Sequence, residues 1–138
     1  MTRDVFRTLG NTVRTIRARL DRSLQHVGLR LGQYQVLRHL YDDDGLTPRE
    51  IAGRLAVEMP TVTRTVQRMV RDGLVQRKAH PRDARSVRIH LTQRGEELRP
   101  VIDALIAEET ERTLSGFSAQ ERAALIRMLD RIAENNRE

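Results

Sequence analysis

Between Leu46 and Leu91 the hydrophobic repeat changes from helical to strand-like, and the change is bounded by strong punctuation. "LTPREIAGRL" opens a short helix, with Thr47 as N-cap, Pro48 at the first helical position and Glu50 placed to close a capping box. Ile51, Ala52 and Leu55 form its buried face. "AVEMP" is a short turn, Pro60 suits the start of a second helix over 60–72, and Gly73 stops it as a left-handed cap. "LVQRK" and "SVRIHL" then read as strands. In the second, Val87, Ile89 and Leu91 alternate with Ser86, Arg88 and His90, so one face is buried. "AHPRDAR" lies between them, where Pro81 and Asp83 favour a turn. Few chains satisfy two capped helices of these lengths, a three- to four-residue turn and a following hairpin. The arrangement is a helix-turn-helix with a β-hairpin wing.

The flanks are helical. Val5, Leu9, Val13, Ile16, Leu20, Leu24 and Val27 mark a helix over 4–27 that Gly28 ends. A second runs over 33–41, with Val36, Leu37 and Leu40 inward, and "DDDG" closes it. Thr92 starts another, with Leu98, Val101, Ile102, Leu105 and Ile106 as its stripe. Pro100 either kinks that helix or confines its regular part to the C-terminal side. Ser118 and Glu121 make a capping box for a last helix, lined by Ala124, Leu125, Met128, Leu129 and Ile132. The expected fold is mainly α with a small β-hairpin wing. It forms a single domain over 1–138, in which 33–95 is the winged helix-turn-helix lobe and 1–30 and 96–138 are long terminal helices. Aromatics supply only 3% of residues, which also favours helices over sheets.

Charge narrows the function. The chain carries +6 overall, yet residues 46–95 hold 11 Lys/Arg against 4 Asp/Glu, and the remainder holds 14 against 15. A positive excess confined to one segment points to a polyanionic partner rather than a generally solvated surface. On a helical wheel of 60–72, Val62, Val66 and Met69 share one side. Thr61, Arg64, Gln67, Arg68 and Arg71 share the other, with Thr63 at the flank. This outward face offers donors and no carboxylate until Asp72. An ordinary amphipathic surface helix would look similar in isolation; a basic hairpin directly after it favours DNA, with Arg82 and Arg85 at the wing tip.

Other chemistries lack their residues. There is no Cys, which removes disulfides, thiolate metal sites and thiol-based sensing. His26, His39, His80 and His90 form no close ligand set apart from a loose His39–Asp43 spacing, so no metal is expected. No catalytic triad, glycine-rich phosphate loop or paired catalytic carboxylates is present, and neither an enzyme nor a cofactor is expected. No apolar run approaches the roughly 18 residues of a membrane span, and "MTRDVFRTLG" lacks a signal-peptide core, so the expected location is cytoplasmic.

"LTPREIAGRLAVEMPTVTRTVQRMVRDGLVQR" followed by "PRDARSVRIHLTQRG" resembles the MarR family of bacterial transcriptional regulators. The carriers are Asp83-Ala84-Arg85 in the wing, then Leu91-Thr92 and Gly95, with the flanking helices extending the likeness over nearly the whole chain. The resemblance implies a homodimer with interleaved terminal helices, binding to a palindromic operator on double-stranded DNA, a repressor role, and release by a small aromatic or anionic effector. It places DNA contacts on Thr61, Thr63, Arg64 and Arg68 and on the wing Arg85. With the wheel and wing readings, the expected interface is Pro60, Thr61, Thr63, Arg64, Gln67, Arg68, Arg82 and Arg85, and Asp83 organises the wing. An effector pocket between the terminal helices and the lobe would include Leu24, His26, Arg30, Tyr34 and Arg38. Arg30 and Arg38 there could pair with an anion or equally with Asp42 or the backbone. The first helix, 24 residues and so about 36 Å long, exceeds the roughly 26 Å breadth of a compact lobe of about 100 residues, consistent with packing against a second copy. Two further readings use the same features: a non-specific architectural DNA-binding protein, and a winged-helix protein-interaction module.

Overall fold

The computed structural model describes residues 4–138. Its elements run α1 (Val5–Gln25), α2 (Leu31–Asp42), α3 (Pro48–Leu55), α4 (Met59–Arg71), β1 (Val75–His80), β2 (Asp83–Leu91), α5 (Gln93–Glu97), α6 (Arg99–Thr113) and α7 (Ala119–Asn135). The chain divides into two compact units, residues 1–105 and 106–138, with the division falling inside α6.

In the first unit, the Asp4 carboxylate caps α1 by accepting from the backbone N–H groups of Phe6 and Arg7. Gly28, at φ +78°, ends the helix in the left-handed region, and the Leu29 N–H folds back to the Leu24 carbonyl. α2 begins two residues before the sequence expectation, because the Gln33 side chain reaches back to accept from the Arg30 backbone N–H at 3.0 Å. Thr47 and Glu50 form the expected capping box on α3. The turn to α4 passes through Ala56 in the left-handed region, at φ +53°. α4 starts at Met59, so Pro60 is its second residue rather than its first. An N–H would be unpartnered at either position, which is why proline is tolerated. Gly73, at φ +75°, closes α4, and the Leu74 N–H donates to the Met69 carbonyl.

The core lies within this unit. Leu29, Val36, Leu37, Leu40 and Ile51 from α2, α3 and their approaches meet Val62, Val66 and Met69 of α4 and Leu74, Val75 and Ile89 of the hairpin, all at most 2% exposed. Each such side chain contributes about 1.5–3 kcal/mol on full burial. The inward positions on α4 are thus the three that the wheel assigns, and the opposite face is left to solvent. The strands are antiparallel, with Val75 opposite Leu91 and Ala79 opposite Val87. Leu46 adds a short third segment, its carbonyl accepting from the Ile89 N–H at 2.8 Å. The turn is tighter than "AHPRDAR" suggests: His80 already pairs with Asp83, leaving Pro81 and Arg82 as the two-residue tip.

At Pro100 the helical bonding is interrupted, although Leu98 keeps right-handed helical dihedrals. Lacking an N–H, it cannot bond the Glu96 carbonyl, so α5 ends at Glu97, Leu98 turns, and α6 restarts at Arg99 with the proline in its first turn. In the second unit, Ser118 and Glu121 cap α7 reciprocally, and Arg122 holds Glu111 at 2.8 Å. No residue of α7 is buried. Ile126, Met128, Leu129 and Ile132 there, and Val5, Phe6, Val13 and Ile16 on α1, are all more than 40% exposed. Much of the apolar side of α1 and α7 therefore lies open in the single chain, although Leu24 at the end of the α1 stripe is fully buried.

Candidate nucleic-acid interface

The packing of Val62, Val66 and Met69 into the core orients the rest of α4 outward. Pro60, Thr61, Thr63, Arg64, Gln67 and Arg68 are all exposed, and Thr65 between them donates its hydroxyl to the Thr61 carbonyl. Among the described residues, no hydrogen bond or ion pair engages the Arg64, Gln67 or Arg68 side chains, so their donors face water. The helix dipole adds roughly half a positive charge at the Met59 end. Together these features favour an anion and, through the guanidinium and amide donors, the edges of bases.

Three of the four acids of the basic segment are engaged locally, whereas Glu58, the N-cap of α4, is exposed and makes no side-chain capping bond. Glu50 accepts from the Thr47 N–H, and that backbone bond, with the Thr47 hydroxyl, holds its carboxyl below the usual carboxylate range. Asp72 accepts from the Gln33 amide at 3.1 Å and lies 3.6 Å from Arg71. Gln33 is the buried polar residue of the lobe, and it ties the N-terminus of α2 to the C-terminal end of α4. Asp83 accepts from the backbone N–H of Arg85 at 3.0 Å. Its carboxylate thus braces the main chain of the wing.

The wing is shaped by an irregular ladder. Ala79 pairs with Val87 and His80 with Asp83, so residues 84–86 stand outside the pairing and Arg85 sits on a bulge. Arg82, at the tip, and Arg85 are both exposed. Arg88 turns inward toward the His80 ring at 3.0 Å, whereas Arg77 and Lys78 are exposed on β1.

The base of the wing explains the Leu91-Thr92 and Gly95 spacing. The Thr92 hydroxyl donates to the Gly73 carbonyl at 2.6 Å and accepts from the Gly95 N–H, while the Thr92 N–H donates to the Leu74 carbonyl. A Cβ on Gly95 would stand under 3.0 Å from the Leu74 carbonyl oxygen. Tyr41 donates its hydroxyl to the Gly95 carbonyl at 2.6 Å, and burial pushes its phenol up to about 12. α5 is thereby clamped onto the strand that leaves α4.

The five residues suggested for an effector lie at the end of α1, in the turn after it and on α2. His26 is the exposed C-cap of α1. The Arg30 guanidinium makes two 3.0 Å hydrogen bonds to Asp21, whose carboxylate also accepts from the Leu31 N–H. Arg38 lies over the Tyr34 ring, 5.7 Å from its centroid. A cleft of about 270 Å³ opens between Asp21, Arg30, Thr65 and Arg68. Asp21, which holds Arg30 there, is not among the residues the sequence suggested. His39, near Arg38 and Arg54, has its imidazole held below its ordinary range chiefly by burial. No group of three or more His, Asp or Glu among the described residues could hold a metal ion, and no helix there is long and apolar enough to cross a membrane.

Known proteins share this architecture. Residues 29–87 match the model of the MarR family. The chain is similar to a MarR transcriptional regulator from Methanosarcina mazei Go1, with a TM-score of 0.87 and 26% identity over 95% of this chain and 94% of that one. It is 36% identical to the transcriptional regulator PA3341, covering 96% of this chain and 97% of that one, with a TM-score of 0.83. The HTH-type transcriptional regulator YybA of Bacillus subtilis (strain 168) is 23% identical over 132 residues, 96% of this chain and 88% of its own length. With the exposed donor face of α4 beside an arginine-bearing wing, these likenesses place the chain in the MarR family of DNA-binding, winged-helix transcriptional regulators.

Proposed function

We propose that two copies of the chain form a homodimer that binds a palindromic operator and represses transcription until a small ligand releases it. The carrying observation is the α4 face of Thr61, Thr63, Arg64, Gln67 and Arg68, free of carboxylates and without internal partners, with Arg82 and Arg85 on the adjoining wing. In this reading the α4 donors read base edges in the major groove, and the wing arginines reach the neighbouring minor groove or phosphates. A twofold pair would present its recognition helices to half-sites about one helical turn apart, or a multiple of it.

Dimerisation is supported by the open apolar side chains of α1 and α7. Seven of the eight are about half exposed and Phe6 is 85% exposed, so covering each would contribute about 1 kcal/mol or more, and eight such residues per chain exceed the lower estimates of the cost of association. The effector is the least constrained element. Tyr34 with Arg38 offers an aromatic and cationic edge, and an anion reaching Arg30 must compete with Asp21. A cytoplasmic location follows from the role itself.

Sedimentation equilibrium together with DNA titration tests the assembly. The expected result is a concentration-dependent dimer that binds a selected palindromic duplex as two chains per site, with phenolic acids lowering the affinity. A monomer at all concentrations, binding as one chain per site, contradicts the dimer. Phenolic acids that leave affinity unchanged contradict that class of effector.

A further inference from the structure

The wing tip depends on a histidine that lies off the recognition surface. His80 is the last residue of β1, and Pro81–Arg82 follow it as the turn. Its Nδ1 accepts from the backbone N–H of Arg82 at 3.1 Å, an i to i+2 contact that gives the turn's second central N–H a partner. Its Nε2 lies 3.0 Å from an Nη2 of Arg88. A neutral imidazole has one acceptor nitrogen, so only one of these contacts can be a hydrogen bond at a time. The Arg82 N–H is fixed by the turn, whereas the guanidinium can rotate. Giving the acceptor to Arg82 places the ring proton on Nε2 and requires the Arg88 guanidinium to turn away from it. An imidazolium has no acceptor at all: it strips the Arg82 N–H of its partner and sets a like charge against Arg88.

The other charged groups around the ring are of both signs, so the lost acceptor rather than net charge decides the effect. Asp83, opposite His80 across the ladder, keeps its negative charge while its Oδ1 accepts from the Arg85 N–H. Lys78 lies two residues back on the same strand face and adds positive charge. Glu50 on α3, whose carboxylate accepts from the Thr47 N–H, is near enough to feel the charge of Arg88.

We propose that His80 is a positioning residue of the wing, whose neutral imidazole sets the tip that carries Arg82 and Arg85. Wing-dependent DNA binding then weakens as His80 takes up a proton. The proposal rests on the DNA-binding reading for its consequence, and on the tip geometry alone for its cause, so the two are tested separately.

Without DNA, nitrogen NMR of the full chain is expected to show the His80 ring proton on Nε2 in the neutral form. The Arg82 amide should shift in step with the ring as the ring takes up a proton on acidification. A proton on Nδ1, or an Arg82 amide indifferent to the ring, overturns the positioning role even if the chain binds DNA well.

With DNA, the probe is the tightest duplex recovered from a random pool. His80→Ala is expected to bind it ~2- to 10-fold more weakly at pH 8, the equivalent of one lost hydrogen bond. His80→Asn, whose Oδ1 can accept from the same N–H and does not titrate, restores what alanine loses. Relative to the asparagine variant, the wild-type chain loses a similar factor on acidification, as the ring loses its acceptor. A wild-type affinity that instead rises, as it would if His80 were a cation against phosphate, overturns the proposal, as does one pH profile shared by all three proteins. NMR coupling in a chain that binds no duplex would refute the DNA reading and leave the turn's geometry standing.

Discussion

Gly95 and Gly53 are both helical glycines, and the structure assigns them opposite responses to alanine. Alanine in an exposed helix interior is favoured over glycine by about 1 kcal/mol. Gly53, on the exposed side of α3, has nothing within 4 Å of an added Cβ, so Gly53→Ala should stabilise by about 0.5–1 kcal/mol. At Gly95 the new Cβ would overlap the Leu74 carbonyl oxygen and crowd Leu91 Cδ2 at 3.3 Å. Because the obstacle is backbone, α5 must move as a unit. That overpacking costs about 1–3 kcal/mol. The Thr92 bonds to the Gly73 and Leu74 carbonyls, and the Tyr41 bond to Gly95 itself, are stretched with it, at about 1 kcal/mol for each one lost. After the gain in helix propensity, the net expectation for Gly95→Ala is a loss of about 2–3 kcal/mol. Urea unfolding at one fixed protomer concentration measures both variants, since any association would shift the midpoint. If Gly95→Ala matched or exceeded the wild-type midpoint at an unchanged slope, the clamp between α5 and the wing base would be refuted.

Other perturbations test separate parts of the fold. Ala56→Gly should raise stability by about 0.5–1 kcal/mol in the same assay, because Ala56 holds φ +53° in the turn before α4, and relief of that strain outweighs the added freedom of the unfolded chain. Asp21→Asn should lower stability at neutral pH and lose that deficit in acid. Hydrogen bonding from Arg30, then from the Leu31 N–H, holds the Asp21 carboxyl below the usual range. Its contribution is therefore complete above the unfolded carboxylate value and disappears as pH falls through the folded one. Unfolding midpoints of the two proteins that stay equally spaced down through pH 4 and below would contradict the pairing.

Local chemistry made much of the fold readable. Thr47 with Glu50 and Ser118 with Glu121 are complete capping boxes within four residues, Gly28 ends α1 as expected, and Gly73 takes the left-handed cap expected of it. The outward face of α4 was readable for the same reason: Val62, Val66 and Met69 must share one side of any helix they occupy. Features set by distant partners were not readable. The start of α2 depends on a glutamine that also reaches Asp72, and Arg30 finds Asp21 across the α1–α2 turn rather than Asp42. Asp83 stood out as an acid among arginines, yet its partner is main chain, and the bulge that places Arg85 depends on strand register. The glycine at position 95 was noticed as part of a spacing; its cause, a carbonyl of the chain leaving α4, appears only in three dimensions.

Selection of bound duplexes from a random pool, performed in parallel for the wild-type chain and Arg64→Ala, tests the central claim most directly. The account predicts an enriched palindrome for the wild type, with half-sites spaced by about one helical turn or a multiple. It further predicts that Arg64→Ala loses preference at particular bases by roughly 1–3 kcal/mol while still binding DNA. No enriched sequence for the wild type, or an Arg64→Ala preference identical to it, would contradict the assignment of α4 as the element that reads DNA.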